Sequence, residues 1–187
     1  MNERTPAPRR IGIVGVVVAA LALGVAGTGT AAAKDSARAA TTKIKIEIEH
    51  KEPVFVGPST IKQGSSLQIV NDSNPKKIGP HTFSIVKRKL LPSSKKEFKQ
   101  CFQKGVCGSI AAAHEYDPAT NKINKPTVEV GETGWDKAFS KDHTGDSWYT
   151  EKKNTRQSRV VSAKPGTKLF YLCAVHPFMQ GKITVVK

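Results

Sequence analysis

The segment Tyr171-Leu-Cys173-Ala-Val-His176-Pro-Phe-Met179-Gln-Gly-Lys sets a thiol, an imidazole and a thioether within seven residues. These are soft and borderline ligands, and a His2Cys trigonal set with a weak axial Met is the donor set of a copper electron-transfer centre. Such a set needs one more imidazole. His81 is the candidate, because it follows Gly79-Pro80 at the head of the strand-like run His81-Thr-Phe-Ser-Ile-Val86. His50, His114 and His143 are the alternatives for that position. A scaffold that holds both oxidation states in nearly one coordination makes electron transfer fast, so no substrate pocket is required. At the chain's own Cys, His and Met frequencies, the C-x2-H-x2-M spacing arises by chance roughly once per 1,000 such sequences.

Ligands drawn from a loop and from a distant strand need a scaffold of short strands. Lys43-Ile-Lys-Ile-Glu-Ile-Glu-His50 alternates strictly, with Ile44, Ile46 and Ile48 on one face, the period of a half-buried strand. Pro53–Val56, Ser66–Val70, His81–Val86, Thr167–Cys173 and Gly181–Val186 are further strand candidates, each bounded by Gly or Pro turns; Thr127–Val130 and Arg159–Ser162 are weaker ones. This pattern predicts an all-β chain, an antiparallel sandwich or barrel.

Residues 87–158 are long, polar and basic and read as an insertion. Within it Ser94-Lys-Lys-Glu97 fits a capping box, and Phe98, Cys101 and Phe102 follow at helical spacing, predicting a helix over 95–104 that Gly105 ends. Cys101 and Cys107 are close enough in sequence to form a small disulfide in an oxidising compartment, leaving Cys173 unpaired.

The chain has 187 residues, with 30 Lys+Arg against 15 Asp+Glu and a formal net charge of +15. Its length points to one domain and excludes a large multidomain enzyme. Residues 1–33 read as an export signal, with Arg4, Arg9 and Arg10 before an apolar run from Ile11 to Ala26. That run is short for a membrane span, so a tether through an uncleaved signal is the minor alternative. Residues 34–42 read as a flexible linker, and 43–187 as the folded domain. Without residues 1–33 the chain keeps 27 basic and 14 acidic residues, so the basicity belongs to the exported protein. The expected location is the periplasm, the cell envelope or the extracellular space.

The loop Cys173-Ala-Val-His176-Pro-Phe-Met179 resembles that of the cupredoxins, and among them most the amicyanin and plastocyanin type. Ser66–Asn71 and Pro80–Val86 also resemble the family's strand ending in Asn and its Pro-His segment. The resemblance covers about residues 43–86 and 159–187. It implies a Greek-key β-sandwich, one type 1 (blue) copper ion and electron transfer between redox partners. It also implies His81, Cys173, His176 and Met179 as ligands, with Asn71 behind them steadying the ligand loop.

The basic runs Lys87-Arg-Lys89, Lys95-Lys96, Lys99 and Lys152-Lys153, with Arg156 and Arg159, form a solvated face or a docking patch for an acidic redox partner or an anionic envelope polymer. Nucleic acid is not an expected partner, since the chain reads as exported and aromatic residues are sparse among its basic runs. A monomer is expected. His114-Glu115 and Asp142-His143 are weighed as a second metal site against a reading as surface residues. The chain contains no nucleophile elbow, phosphate loop, H-E-x-x-H or C-x-x-C-H motif, so no enzyme is expected. The competing function is copper sequestration or delivery, with the metal as cargo.

Overall fold

The computed structural model describes residues 41–117, 119, 120, 122–140 and 144–187. The expected export signal and nearly all of the linker lie outside them. Twelve strands are formed among the described residues: β1 Thr41–Glu49, β2 Glu52–Val56, β3 Thr60–Lys62, β4 Ser66–Asn71, β5 His81–Val86, β6 Tyr116–Asp117, β7 Lys122–Ile123, β8 Glu129–Val130, β9 Ser147–Thr150, β10 Thr155–Val160, β11 Lys168–Leu172 and β12 Gln180–Val186. Helices are α1 Pro75–Ile78, α2 Lys95–Lys104 and α3 Val106–Ala113, with a 3-10 turn at Arg88–Leu90.

The strands make two main sheets, ordered β10-β4-β1-β2 and β3-β12-β11-β5-β9-β8. Ile44, Ile46, Leu67 and Ile69 of the first pack with Phe83, Ile85, Leu169, Tyr171, Ile183 and Val185 of the second in one core, the interior of a β-sandwich. The pairing is mixed rather than wholly antiparallel: β1 runs parallel to β4, and β3 parallel to β12. Successive strands change sheets between β2 and β3 and again between β3 and β4, so β4 returns beside β1 in the same direction.

β1 begins at Thr41, where pairing of Thr41 and Thr42 with Ser66 and Leu67 extends the strand into the expected linker. Its far end overhangs. The pairing with β4 stops at Ile46 and Asn71, so Ile48, grouped with Ile44 and Ile46 by its period, is 43% exposed.

The expected insertion is narrower than 87–158. β9 pairs with β5 and β10 with β4, so Ser147–Thr150 and Thr155–Val160 are integral strands of the sandwich. Trp135, fully buried, lies in the main core and donates its indole N–H to the Leu67 carbonyl at 3.0 Å. β10 escaped the apolar pattern because its inward positions include Thr155, Gln157 and Arg159. The Arg159 guanidinium lies 4.4 Å from the Trp135 ring centroid and donates to the carbonyls of Val130 and Glu132. Arg159 is therefore a packing residue and not part of an exposed basic patch.

Helices α2 and α3 cover the outer face of the six-stranded sheet. Val106, Cys107, Ile110 and Cys101 pack there with Val86, Leu172, Ala174 and Phe139 as a second core. Ser94 caps α2 as expected, its hydroxyl accepting from the Glu97 N–H while Glu97 reaches back to the Ser94 N–H. Cys101 and Cys107 are joined in a disulfide that ties α2 to α3. α3 was not expected; a Cβ at Gly108 would meet the Phe102 carbonyl, so glycine there lets the two helices approach.

Candidate metal centre

At one end of the sandwich the chain leaves α1 through Gly79, whose φ of +84° favours glycine, and enters β5 at His81. Here the ring of His81 meets the loop between β11 and β12. That loop is closed by its own backbone: the Cys173 N–H donates to the Met179 carbonyl at 3.0 Å, and the Met179 N–H to the His176 carbonyl at 2.8 Å.

Cys173 Sγ lies 3.8 Å from His81 Nδ1 and 3.7 Å from His176 Nδ1. The three ligand atoms all lie within 4.8 Å of one another. The rings of His81 and His176 are 4.9 Å apart at 38°. Cys173 and His81 are fully buried, Met179 is buried in the same core, and His176 is half-buried. An ion bonded to imidazole at about 2.0–2.1 Å and to thiolate at about 2.3 Å, with angles near 120°, holds N and S about 3.8 Å apart. The separations found here match that edge.

Electrostatics favour metal ligation over hydrogen bonding. Burial, and then the neighbouring His176 ring, bring His81 down to about 4, so the ring is neutral at neutral pH. His81 Nε2 is buried without a hydrogen-bond partner, which leaves Nδ1, facing the thiol, as the ring's one polar contact. Nδ1 is thus the nitrogen placed to ligate an ion beside the sulfur, and ligation there would leave the ring proton on Nε2. Burial also lowers His176, against the opposing effect of its Nε2 contact with the Ile78 carbonyl at 2.9 Å. Burial pushes the Cys173 thiol up, while N–H groups of Thr82, His176 and Val175 and the Thr82 side chain pull the other way. An ion that displaces the proton relieves this conflict, and the N2S set with Met179 in the same loop fits one copper ion.

The other expectations sort clearly. Asn71 does not steady the ligand loop: its Oδ1 accepts from the Ser73 N–H and hydroxyl, and its Nδ2 donates to Thr150 and the Lys152 carbonyl. It braces the β9–β10 turn instead, because β4 carries it beside β10. Thr82 does what was expected of Asn71. Its N–H donates to Cys173 Sγ at 3.3 Å, and its Oγ1 accepts the Ala174 N–H at 2.8 Å. No local signal marked Thr82, because its contacts depend on β5 lying beside β11, a pairing distant in sequence.

His50 sits exposed in the β1–β2 turn, outside the convergent group. His114 is buried with both ring nitrogens engaged, by the Thr127 carbonyl and by Ser147 Oγ, so the pair His114-Glu115 offers no metal site. Asp142 and His143 lie outside the described residues. Trp148 and Tyr149, near a basic run in sequence, are buried in β9.

No family model matches the chain, and no curated protein matches it. Among solved structures it is similar to a purple cupredoxin from Nitrosopumilus maritimus, at 14% identity over 77% of this chain and 98% of that one, with a TM-score of 0.40. It is also similar to auracyanin A, a "blue" copper protein from Chloroflexus aurantiacus, at 17% identity over 78% and 98%, TM-score 0.39. A third is amicyanin from Paracoccus versutus, at 16% identity over 82% and 86%, TM-score 0.35. Two facing sheets make this chain a β-sandwich in which His81 heads one strand and Cys173, His176 and Met179 lie in the loop between two others, the fold that the resemblance of its ligand loop implied.

Proposed function

We propose that this chain is an exported type 1 copper protein that carries single electrons between redox partners. The observation that carries the reading is the convergence of His81 Nδ1, Cys173 Sγ and His176 Nδ1 within 4.8 Å at a buried sheet end. Copper bound there supplies a one-electron couple. The protein's work is to keep the donors still. His81 and Cys173 are held on paired strands, since β5 and β11 are hydrogen-bonded from Val86–Phe170 to Ser84–Leu172. His176 is oriented by the Ile78 carbonyl, and its half-exposed ring is the route to a partner.

Met179, buried in the same loop, would add its thioether to the donor set in this reading. Four protein ligands leave no open position for a substrate, so the chain is a carrier and not an enzyme. Its net charge selects an acidic docking partner, with an anionic envelope polymer as the second anionic surface. Among the described residues no helix is long and apolar enough to cross a membrane.

The test is the visible and electron paramagnetic resonance spectrum of the purified protein with one equivalent of Cu(II). An intense thiolate-to-copper band near roughly 600 nm with narrow hyperfine splitting supports the reading; a pale, ordinary Cu(II) spectrum overturns it. Rapid loss of copper to a weak chelator moves the function from electron transfer to metal carriage.

A further inference from the structure

Beside the metal loop lies an open groove of about 420 Å³, walled by Arg88, Leu91, Phe98, Phe170, Phe178 and Gln180. Its two sides come from distant parts of the sequence. One is the 3-10 turn and the first part of α2; the other is the outer face of β11 and β12, where Phe170 is the register partner of Lys182. Gln180 ties the sides together, its Nε2 donating to the Pro92 carbonyl at 2.8 Å and to the Pro177 carbonyl at 2.7 Å. Pro92, on the approach to α2, is thereby held to the residue that follows His176. The groove meets the metal loop at Phe178, which is 43% exposed and whose ring lies 5.9 Å from that of His176.

The walls are largely apolar and the rim is positive. Between Lys87 and Lys104 there are seven basic residues and one acidic residue, Glu97. Glu97 is committed to the start of α2, where its Oε2 accepts from the Ser93 N–H and hydroxyl and from the Ser94 N–H. From Lys152 to Lys187, a span that includes β11 and β12, there is no Asp or Glu. Arg88, Lys89, Lys95, Lys96 and Lys182 are exposed, and among the described residues none of them has a carboxylate partner. The Arg88 guanidinium lies 5.9 Å from the Phe170 ring centroid. A guanidinium held on a ring is pre-organised, so it loses little freedom when its N–H edge meets a carboxylate.

We propose, resting on the electron-carrier reading above, that an acidic segment of the redox partner docks in this groove. An apolar side chain of the segment enters between Phe98, Phe170 and Phe178, and flanking carboxylates meet Arg88 and Lys182. A sugar or phosphate polymer satisfies the cations but leaves the apolar walls wet, whereas a protein side chain removes them from water. The positive rim draws the acidic partner in, and occupancy sets it on Phe178, in contact with the half-exposed ligand ring of His176. The basic pair Lys152-Lys153, by contrast, adjoins a groove whose walls include the carboxylates of Glu129 and Glu151, which repel an acidic segment.

The experiment titrates the full chain into a fluorescein-labelled acidic peptide with one central Phe and follows anisotropy. Replacing Arg88→Glu together with Lys182→Glu is expected to weaken binding about tenfold or more, and the charge-matched pair Lys152→Glu with Lys153→Glu less than about threefold. Equal weakening by the two pairs overturns the site, as does equal affinity for a peptide with Ser in place of Phe. Polyphosphate that binds more tightly than the peptide, and is weakened alike by both pairs, assigns the basic face to an anionic polymer and also overturns it. In the copper-loaded protein, bound peptide should slow several-fold the oxidation of Cu(I) by tris(phenanthroline)cobalt(III), in which one electron leaves copper and reduces Co(III) to Co(II). This oxidant is a cation, so slowing reports coverage of the His176 edge and not repulsion by the peptide; an unchanged rate overturns the assignment to a redox partner. A protein that binds the peptide with the expected variant pattern, but has no thiolate-to-copper band, overturns the copper reading and the partner's redox role while leaving the groove as an acidic-peptide site.

Discussion

Along β5, Phe83 and Ile85 face the interior between the sheets with His81 at their head, whereas Thr82, Ser84 and Val86 face the helical cover. The inner side is aromatic: Phe83 packs 5.1 Å from Trp135, 5.6 Å from Phe55 and 4.8 Å from Tyr171. The outer side carries hydroxyls, and Ser84 hydrogen-bonds across to Ser147 of β9, which in turn meets His114 just beyond α3. The strand therefore meets the metal site with apolar packing on one face and hydrogen-bonded hydroxyls on the other.

The largest effect that tests this contrast is at the centre itself. Cys173→Ala removes the sulfur that both faces serve and abolishes the thiolate-to-copper band, whereas Met179→Leu keeps a coloured but shifted site because the axial bond is long and weak; absorption after copper titration reads both. Next, Phe83→Ala on the inner face costs about 3–5 kcal/mol of folding stability, against about 1 kcal/mol for Ser84→Ala on the outer, by urea unfolding of the metal-free protein. A comparable loss at Ser84 would erase the distinction between the two faces.

The contrast also has a pH signature. His81 has its folded value lowered to about 4 from an ordinary 6.5, so the unfolded chain binds the proton first. Its contribution is whole above about pH 6.5 and is lost as pH falls towards about 4. Thermal melts of the metal-free protein should therefore weaken across that window, and bound copper, which holds the ring deprotonated, should flatten the dependence.

Smaller effects concern the cover. Replacing Cys101 and Cys107 together by Ser opens a short loop and costs about 2 kcal/mol, with the copper band retained. Ser94→Ala removes the α2 cap for about 1 kcal/mol, read by the same unfolding experiment. A copper band lost with the disulfide would show that the cover also holds the metal centre.

Legibility followed the range of the forces involved. The ligand loop, the Ile44 and Ile46 face of β1, the α2 capping box and the Cys101–Cys107 pairing all depend on residues within a few positions of one another, and each was readable from spacing. β9 and β10 were hidden inside an apparent insertion because β9 is short and carries the buried Ser147 on its outer side, while the inner face of β10 carries Gln157 and Arg159, and partners far along the chain offset the burial of these polar groups. Asn71 was assigned to the wrong neighbour because a strand-ending Asn shows its type but not which turn lies beside it.

The sequence by itself determined which side chains are able to bind copper, since donor chemistry and a three-residue spacing are local properties. Only the tertiary structure decided that His81, 92 positions before Cys173, comes within 3.8 Å of its sulfur, that Thr82 supports that sulfur, and that His114 is turned inward to a hydroxyl row. The reason is physical: strand pairing brings distant residues together through backbone hydrogen bonds that are nearly blind to side-chain identity, so no local pattern records them.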